Sequence, residues 1–261
     1  MAAEAARLFV FTSGSERTLA GLFDPWDPAC GTTMEIPYYF FAVDHPEGWV
    51  LVDCGVHPDF AVDPVGRLGE QAAMSDLTVG PEDDVAHRLA TIGVAPEQVA
   101  HVVVTHLHYD HCGGLSLLPN ATVHVQAAER RFAADPPVYQ APAYIPDDWA
   151  GPLTWHEVSG EHDLFGDGSV VMFPTPGHTP GHQSVLVRLP GQAVIVVGDA
   201  AYHPRKMAER RLPAYLWNPD AVIASWAELE RRRDEHGAVF LFSHFPPAGQ
   251  MVLGPQAWQS R

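Results

Sequence analysis

Four apolar runs of strand length in this chain each end within a few residues of a side chain that binds divalent metals. A fold that serves them must gather four strand ends on one edge. The first run, Val102-Val103-Val104, leads into Thr105-His-Leu-His-Tyr-Asp-His-Cys-Gly-Gly114, where His106, His108, Asp110 and His111 are all metal-type donors. Histidines at i and i+2 cannot share a helical face but reach one ion from an extended strand end, and Asp110 with His111, one turn further on, can serve a second ion. The later runs repeat the arrangement with one donor each: Val170 to Phe173 before His178, Val194 to Val197 before Asp199, and Val239 to Phe242 before His244.

The chain holds 15 histidines in 261 residues, so accident has to be weighed. At the chain's own residue frequencies a His-x-His-x-Asp-His pattern arises on the order of a few times per thousand such sequences. A lone His or Asp after a strand is more often a turn or hydrogen-bonding residue than a ligand. Three such residues placed alike, in a chain already carrying the first cluster, reverse those odds. Five His and two Asp, with a carboxylate able to bridge, fit a dinuclear hydrolytic centre better than a single structural zinc.

Composition narrows the class. With 46% apolar residues the chain can build a substantial core, and no linker or repeat divides it, so a single domain over 1–261 is expected. Acidic residues outnumber basic ones 32 to 15, a formal charge of -17 that disfavours nucleic acid and anionic membrane surfaces as partners. The N-terminus lacks a signal-peptide pattern and no stretch has the length of a membrane span, which points to the cytoplasm. Cys30, Cys54 and Cys112 show no Cys-x-x-Cys spacing and read as free thiols, with Cys112 a packing residue rather than a ligand.

Strands are expected at 7–12, 38–43 and 49–52, the last two joined as a hairpin, and at 102–104, 123–125, 170–173, 184–189, 193–197 and 238–242. Helices are expected over 81–93, 127–134 and 219–236. The Pro-, Tyr- and Trp-rich segment 135–152 is too apolar for a linker and reads as a cover. His45, His57, His87, His101, His124, His156, His162, His203 and His236 read as surface or turn residues without chemistry.

The ligand segments Thr105 to Gly114, Thr175-Pro-Gly-His-Thr-Pro-Gly-His182, Gly198-Asp199 and Ser243-His244, preceded by Leu51-Val-Asp-Cys-Gly55, resemble in order those of the metallo-β-lactamase superfamily, and within it the N-acyl-homoserine lactone lactonases. The resemblance covers nearly the whole chain. It implies an α+β fold, the αββα sandwich, with the metals at the edge between two sheets. It also implies two divalent ions, zinc foremost, with iron(II), cobalt or manganese as alternatives. His106, His108 and His178 would hold one ion and Asp110, His111 and His244 the other, with Asp199 bridging and Asp53 and His182 supporting the ligands from behind.

Tyr202, three residues after Asp199, matches the lactonase residue that contacts the substrate carbonyl. The implied reaction is lactone-ring opening by a hydroxide shared between the metals, with Tyr202 stabilising the oxyanion and Asp110 passing a proton to the leaving oxygen. Tyr202 would contact substrate and a homodimer is implied; Phe23, Trp26, Met34, Tyr144, Trp149 and Trp217 lie in segments able to offer apolar surface to an acyl chain, Trp26 foremost as a substrate contact. Phe245-Pro246-Pro247 after the last ligand is similar instead to the organophosphate hydrolase branch. Phosphotriesters, aryl esters or another lactone, such as that of pyridoxine degradation, are therefore the alternative substrates.

Overall fold

In a computed structural model, residues 7–69, 76–245 and 257–258 are described. The chain runs β1 (Arg7–Leu19), β2 (Thr33–His45), β3 (Gly48–Val52), α1 (Pro64–Leu68), β4 (Asp76–Thr78), α2 (Val85–Ala90), β5 (Val99–Val103), α3 (Tyr109–Cys112), β6 (Thr122–Gln126), α4 (Ala127–Ala134), β7 (Thr154–Val158), β8 (His162–Asp163), β9 (Val170–Pro174), β10 (Gln183–Leu189), β11 (Gln192–Gly198), α5 (Pro204–Ala208), α6 (Pro219–His236), β12 (Val239–Phe242) and β13 (Ala257–Trp258). One sheet has the order β13-β1-β2-β3-β5-β6-β7, with β4 on β1. The other has the order β12-β11-β10-β9-β8.

The apolar runs are continuous because most of these strands are covered on both faces. On β1, Leu8 and Val10 enter the layer between the sheets while Phe9 and Phe11 face the helical side; on β2, Tyr39, Phe41 and Val43 point inward and Phe40 and Ala42 outward. In the second sheet Val194 and Val196 of β11 enter the inter-sheet layer, and Ala193, Ile195 and Val197 meet Val222, Trp226 and Leu229 of α6. Three apolar layers thus separate helix, sheet, sheet and helix, the expected αββα sandwich.

Strand direction sets where the donors emerge. β3 and β5 are parallel, so Asp53 and Thr105 leave at the same edge. β11 and β12 are parallel, and β9 runs the same way because both it and β11 are antiparallel to β10, so His178, Asp199 and His244 also share an edge. Across that edge the sheets are tied by Gln183 N to Thr105 O at 2.9 Å, Gln183 Nε2 to Val104 O at 2.8 Å and Tyr39 N to Ser243 O at 2.9 Å.

Two sequence expectations need correction. The helix expected over 81–93 begins only at Val85, because Asp84 caps it by accepting from His87 N and Asp83 closes a turn on Gly80 N. His45 and His124 are not surface residues: they are 4% and 3% exposed, since the period of their strands turns both towards the inter-sheet layer. Cys54 and Cys112 are fully buried free thiols, as expected of packing residues.

Candidate metal centre

The seven predicted donors converge at the shared edge. Ligand atoms of His106, His108 and His178 lie within 4.8 Å of one another, as do those of Asp110, His111 and His244, and Asp199 groups with His106 and His111. Asp199 faces both halves: Oδ1 is 3.3 Å from His111 Nε2 and 3.1 Å from His244 Nε2, and Oδ2 is 3.5 Å from His178 Nε2. Nε2 of His106, His108 and His111 and Oδ1 of Asp199 are buried without a hydrogen-bond partner. Buried polar atoms are rarely left so, and four aimed into one space fit divalent ions.

The surrounding contacts orient the rings. Asp53 is fully buried at φ 59°, a strained conformation for a non-glycine residue. Its carboxylate accepts from Thr105 N at 2.7 Å, Thr105 Oγ1 at 2.9 Å and His111 Nδ1 at 2.8 Å. A carboxylate on Nδ1 places the proton there and frees Nε2 as a ligand. His244 Nδ1 likewise donates to Pro37 O at 2.9 Å. His182 is not among the donor groups; its Nε2 accepts from Asp199 N at 3.0 Å and its Nδ1 meets Thr175 Oγ1 at 2.9 Å, so it steers the loop that carries Asp199. Gly198 permits this approach: its φ is +61°, and a Cβ there would sit 2.6 Å from His182 Nε2.

The electrostatics divide the centre. Burial, and then the neighbouring imidazoles, push His106 and His108 well below the usual imidazole range, so both are neutral donors. Burial opposes protonation of His111, but Asp110, Asp199 and Asp53 raise it well above that range; Asp199 does the same, more mildly, for His244. In the metal-free protein these protons hold the carboxylates together, and ions must displace them.

Tyr202 lines the cavity above the centre, with its hydroxyl 3.1 Å from His178 Nδ1. Burial, then the charge of Asp199, keeps its phenol protonated far beyond neutral pH. That cavity, about 220 Å³, is bounded by Glu16, Phe23, Tyr38, Tyr109, Asp110 and Tyr215 among others. A second one of about 130 Å³ shares Phe23, Ile36, Tyr202 and His244 with it and adds Met34 and Phe245. Trp26 lines neither: it is 82% exposed, and Phe23, three residues earlier, takes the place expected of it. Pro246 and Pro247 lie outside the described residues.

One buried carboxylate escaped the sequence reading. Glu129 of α4 is 0% exposed and accepts from Thr179 Oγ1 at 2.6 Å, Tyr144 Oη at 2.9 Å and Leu107 N at 3.1 Å, joining both His-bearing loops to the 135–152 cover. In the sequence it reads as an ordinary first-turn acid; only its burial and its hydrogen bonds to Thr179, Tyr144 and Leu107 reveal it.

Comparison with known proteins agrees with this geometry. Residues 35–244 match the model of the metallo-beta-lactamase superfamily. The chain is 34% identical over 224 residues to the N-acyl homoserine lactonase AttM of Rhizobium radiobacter, covering 84% of this chain and 85% of that protein. It is 24% identical to the N-acyl homoserine lactonase AiiA of Bacillus thuringiensis subsp. kurstaki, covering 82% and 83%. A solved N-acyl homoserine lactone hydrolase, with the product N-hexanoyl-L-homoserine at its catalytic metal centre, superposes with a TM-score of 0.82 at 21% identity over 92% of this chain and 94% of that one. The chain belongs to the metallo-β-lactamase superfamily.

Proposed function

We propose that this hydrolase holds two divalent ions and opens the lactone ring of N-acyl-homoserine lactones. The observation that carries this reading is two donor groups joined through Asp199 on the floor of a cavity walled by apolar side chains and Tyr202. The lactonase relatives support the substrate class.

His106, His108 and His178 would hold one ion and Asp110, His111 and His244 the other, with Asp199 between them. Bound there, divalent ions supply Lewis acidity and a water ionised near neutral pH. The protonated Tyr202 hydroxyl turns from His178 to donate to the lactone carbonyl oxygen as negative charge develops on it. Asp110 opens on the cavity, with Oδ2 3.4 Å from Nε2 of both His111 and His244. It takes the proton released from water and returns it to the ring oxygen as the ester C–O bond breaks. Phe23, Ile36 and Met34 receive the acyl chain in the second cavity.

Phe245, in the wall of that cavity and 4.2 Å from the His203 ring, is the one feature favouring a second reading, an aryl ester or phosphotriester substrate. Turnover by metal-loaded protein on homoserine lactones of graded chain length and on a paraoxon-type ester decides between them. The lactone reading expects kcat/KM for the preferred lactone to exceed that for the phosphotriester by about 100-fold or more. The reverse order would replace it.

A further inference from the structure

Away from the His/Asp centre, the inter-sheet layer is interrupted by a second group of histidines. His101 of β5, His124 of β6 and His156 of β7 stand on successive parallel strands, His124 in register with His156, while His162 comes from β8, the edge strand of the other sheet. His124 turns away from Val123 and Val125, which pack under the helices, and is 3% exposed; His162 is half-buried and His156 exposed. Ligand nitrogens of His124, His156 and His162 lie within 4.8 Å of one another, and the Nδ1 atoms of His124 and His156 are 3.1 Å apart. Tetrahedral zinc with Zn–N bonds near 2.05 Å spaces its nitrogens about 3.3 Å apart, so the His124–His156 pair is already in place and the nitrogen of His162, within 4.8 Å of both, has at most about 1.5 Å to close.

We propose that His124, His156 and His162 form a separate three-histidine site for a divalent ion of the zinc, copper and nickel class, clamping edge strand β7 of one sheet to edge strand β8 of the other. The all-imidazole donor set selects that class over magnesium or calcium. His101 completes the surroundings: its Nδ1 is 3.0 Å from His124 Nε2, so with Nδ1 of His124 on the ion, the Nε2 proton is donated to His101. Burial, then the flanking imidazoles, holds His124 down to about 3, which keeps it a neutral donor at working pH. Nothing in the proposed hydrolysis uses these residues.

The test is metal content after equilibrium dialysis against micromolar free Zn2+, comparing wild type with the His156→Gln/His162→Gln double variant and with His162→Gln alone. The site predicts one Zn2+ equivalent fewer per chain in both variants, together with a smaller Zn2+-induced rise in Tm. The same one-equivalent difference should appear when the comparison is repeated in an Asp110→Asn, His244→Gln background, so failure of the catalytic centre to load would not hide it. Equal zinc content and equal Tm increments in wild type and variants would overturn the proposal, leaving His101, His124 and His156 as a metal-free hydrogen-bonded chain.

Discussion

Replacing Asp53 by Asn tests the orientation of the centre without changing its shape. The wild-type carboxylate accepts three hydrogen bonds at 2.7, 2.8 and 2.9 Å while fully buried. An amide of the same size has one oxygen, so one of two things must happen. If its NH2 faces His111, the ring must offer Nδ1 as acceptor and carry its proton on Nε2, the atom aimed at the metal. If its NH2 faces Thr105 N instead, two donors meet at 2.7 Å in a buried site, and a hydrogen bond worth about 1–3 kcal/mol in that setting is lost. The first arrangement weakens one ion by about 10–100-fold, or roughly 1.4–2.7 kcal/mol. The second appears as a Tm lower by several degrees with metal affinity nearly kept. Competition against a chelator with graded zinc affinities resolves the two ions, and calorimetric unfolding reports stability. The expected result is one weakened ion, that of Asp110, His111 and His244, beside an unaltered one. Two wild-type affinities with a wild-type Tm would refute the assignment of Asp53 as the group that fixes His111.

Tyr202→Phe should lower kcat by about 10–1,000-fold while two ions remain bound, because one oxyanion donor is removed and no ligand is touched; stopped-flow single turnovers check this, and an unchanged rate removes Tyr202 from the reaction. Glu129→Gln keeps the volume but loses charge-assisted bonds to Thr179 and Leu107, so Tm should fall by roughly 3–8 °C with metal stoichiometry intact. Asp24 is lowered from 3.8 to about 2 by Arg211 and, against burial, by Lys206, which tie the 20–27 loop to the α5 region beside the second cavity. Because its folded pKa is the lower one, the stabilisation is complete above about pH 4 and disappears as pH falls towards 2. It amounts to about 1 kcal/mol after allowing for solvent around the two cations. Asp24→Asn should remove that part of the acid sensitivity of unfolding, while raising KM for long-chain substrates more than it lowers kcat; an acid limb identical to wild type would contradict it.

The donor candidates were legible in the sequence because ligation needs particular side chains, and each stands just beyond an apolar run that reads as a strand. α4 and α6 fall on their expected residues, and for α6 the signals are local: Asn218 caps it, Pro219 opens it and Gly237 stops it. β7 and β8 gave no such signal, because Thr154-Trp-His-Glu-Val158 and His162-Asp163 contain no apolar run. Tertiary structure decided the rest. The sense of β9, β11 and β12 puts His178, Asp199 and His244 on one edge; a buried Asp53 selects the tautomer of His111; Phe23 rather than Trp26 faces the cavity. It also turned His124 inward and brought it to His156 and His162 from two different sheets. A sequence can declare which groups are able to bind an ion, but which of them share one ion depends on strand order and register, and those are set by contacts between residues far apart in the chain.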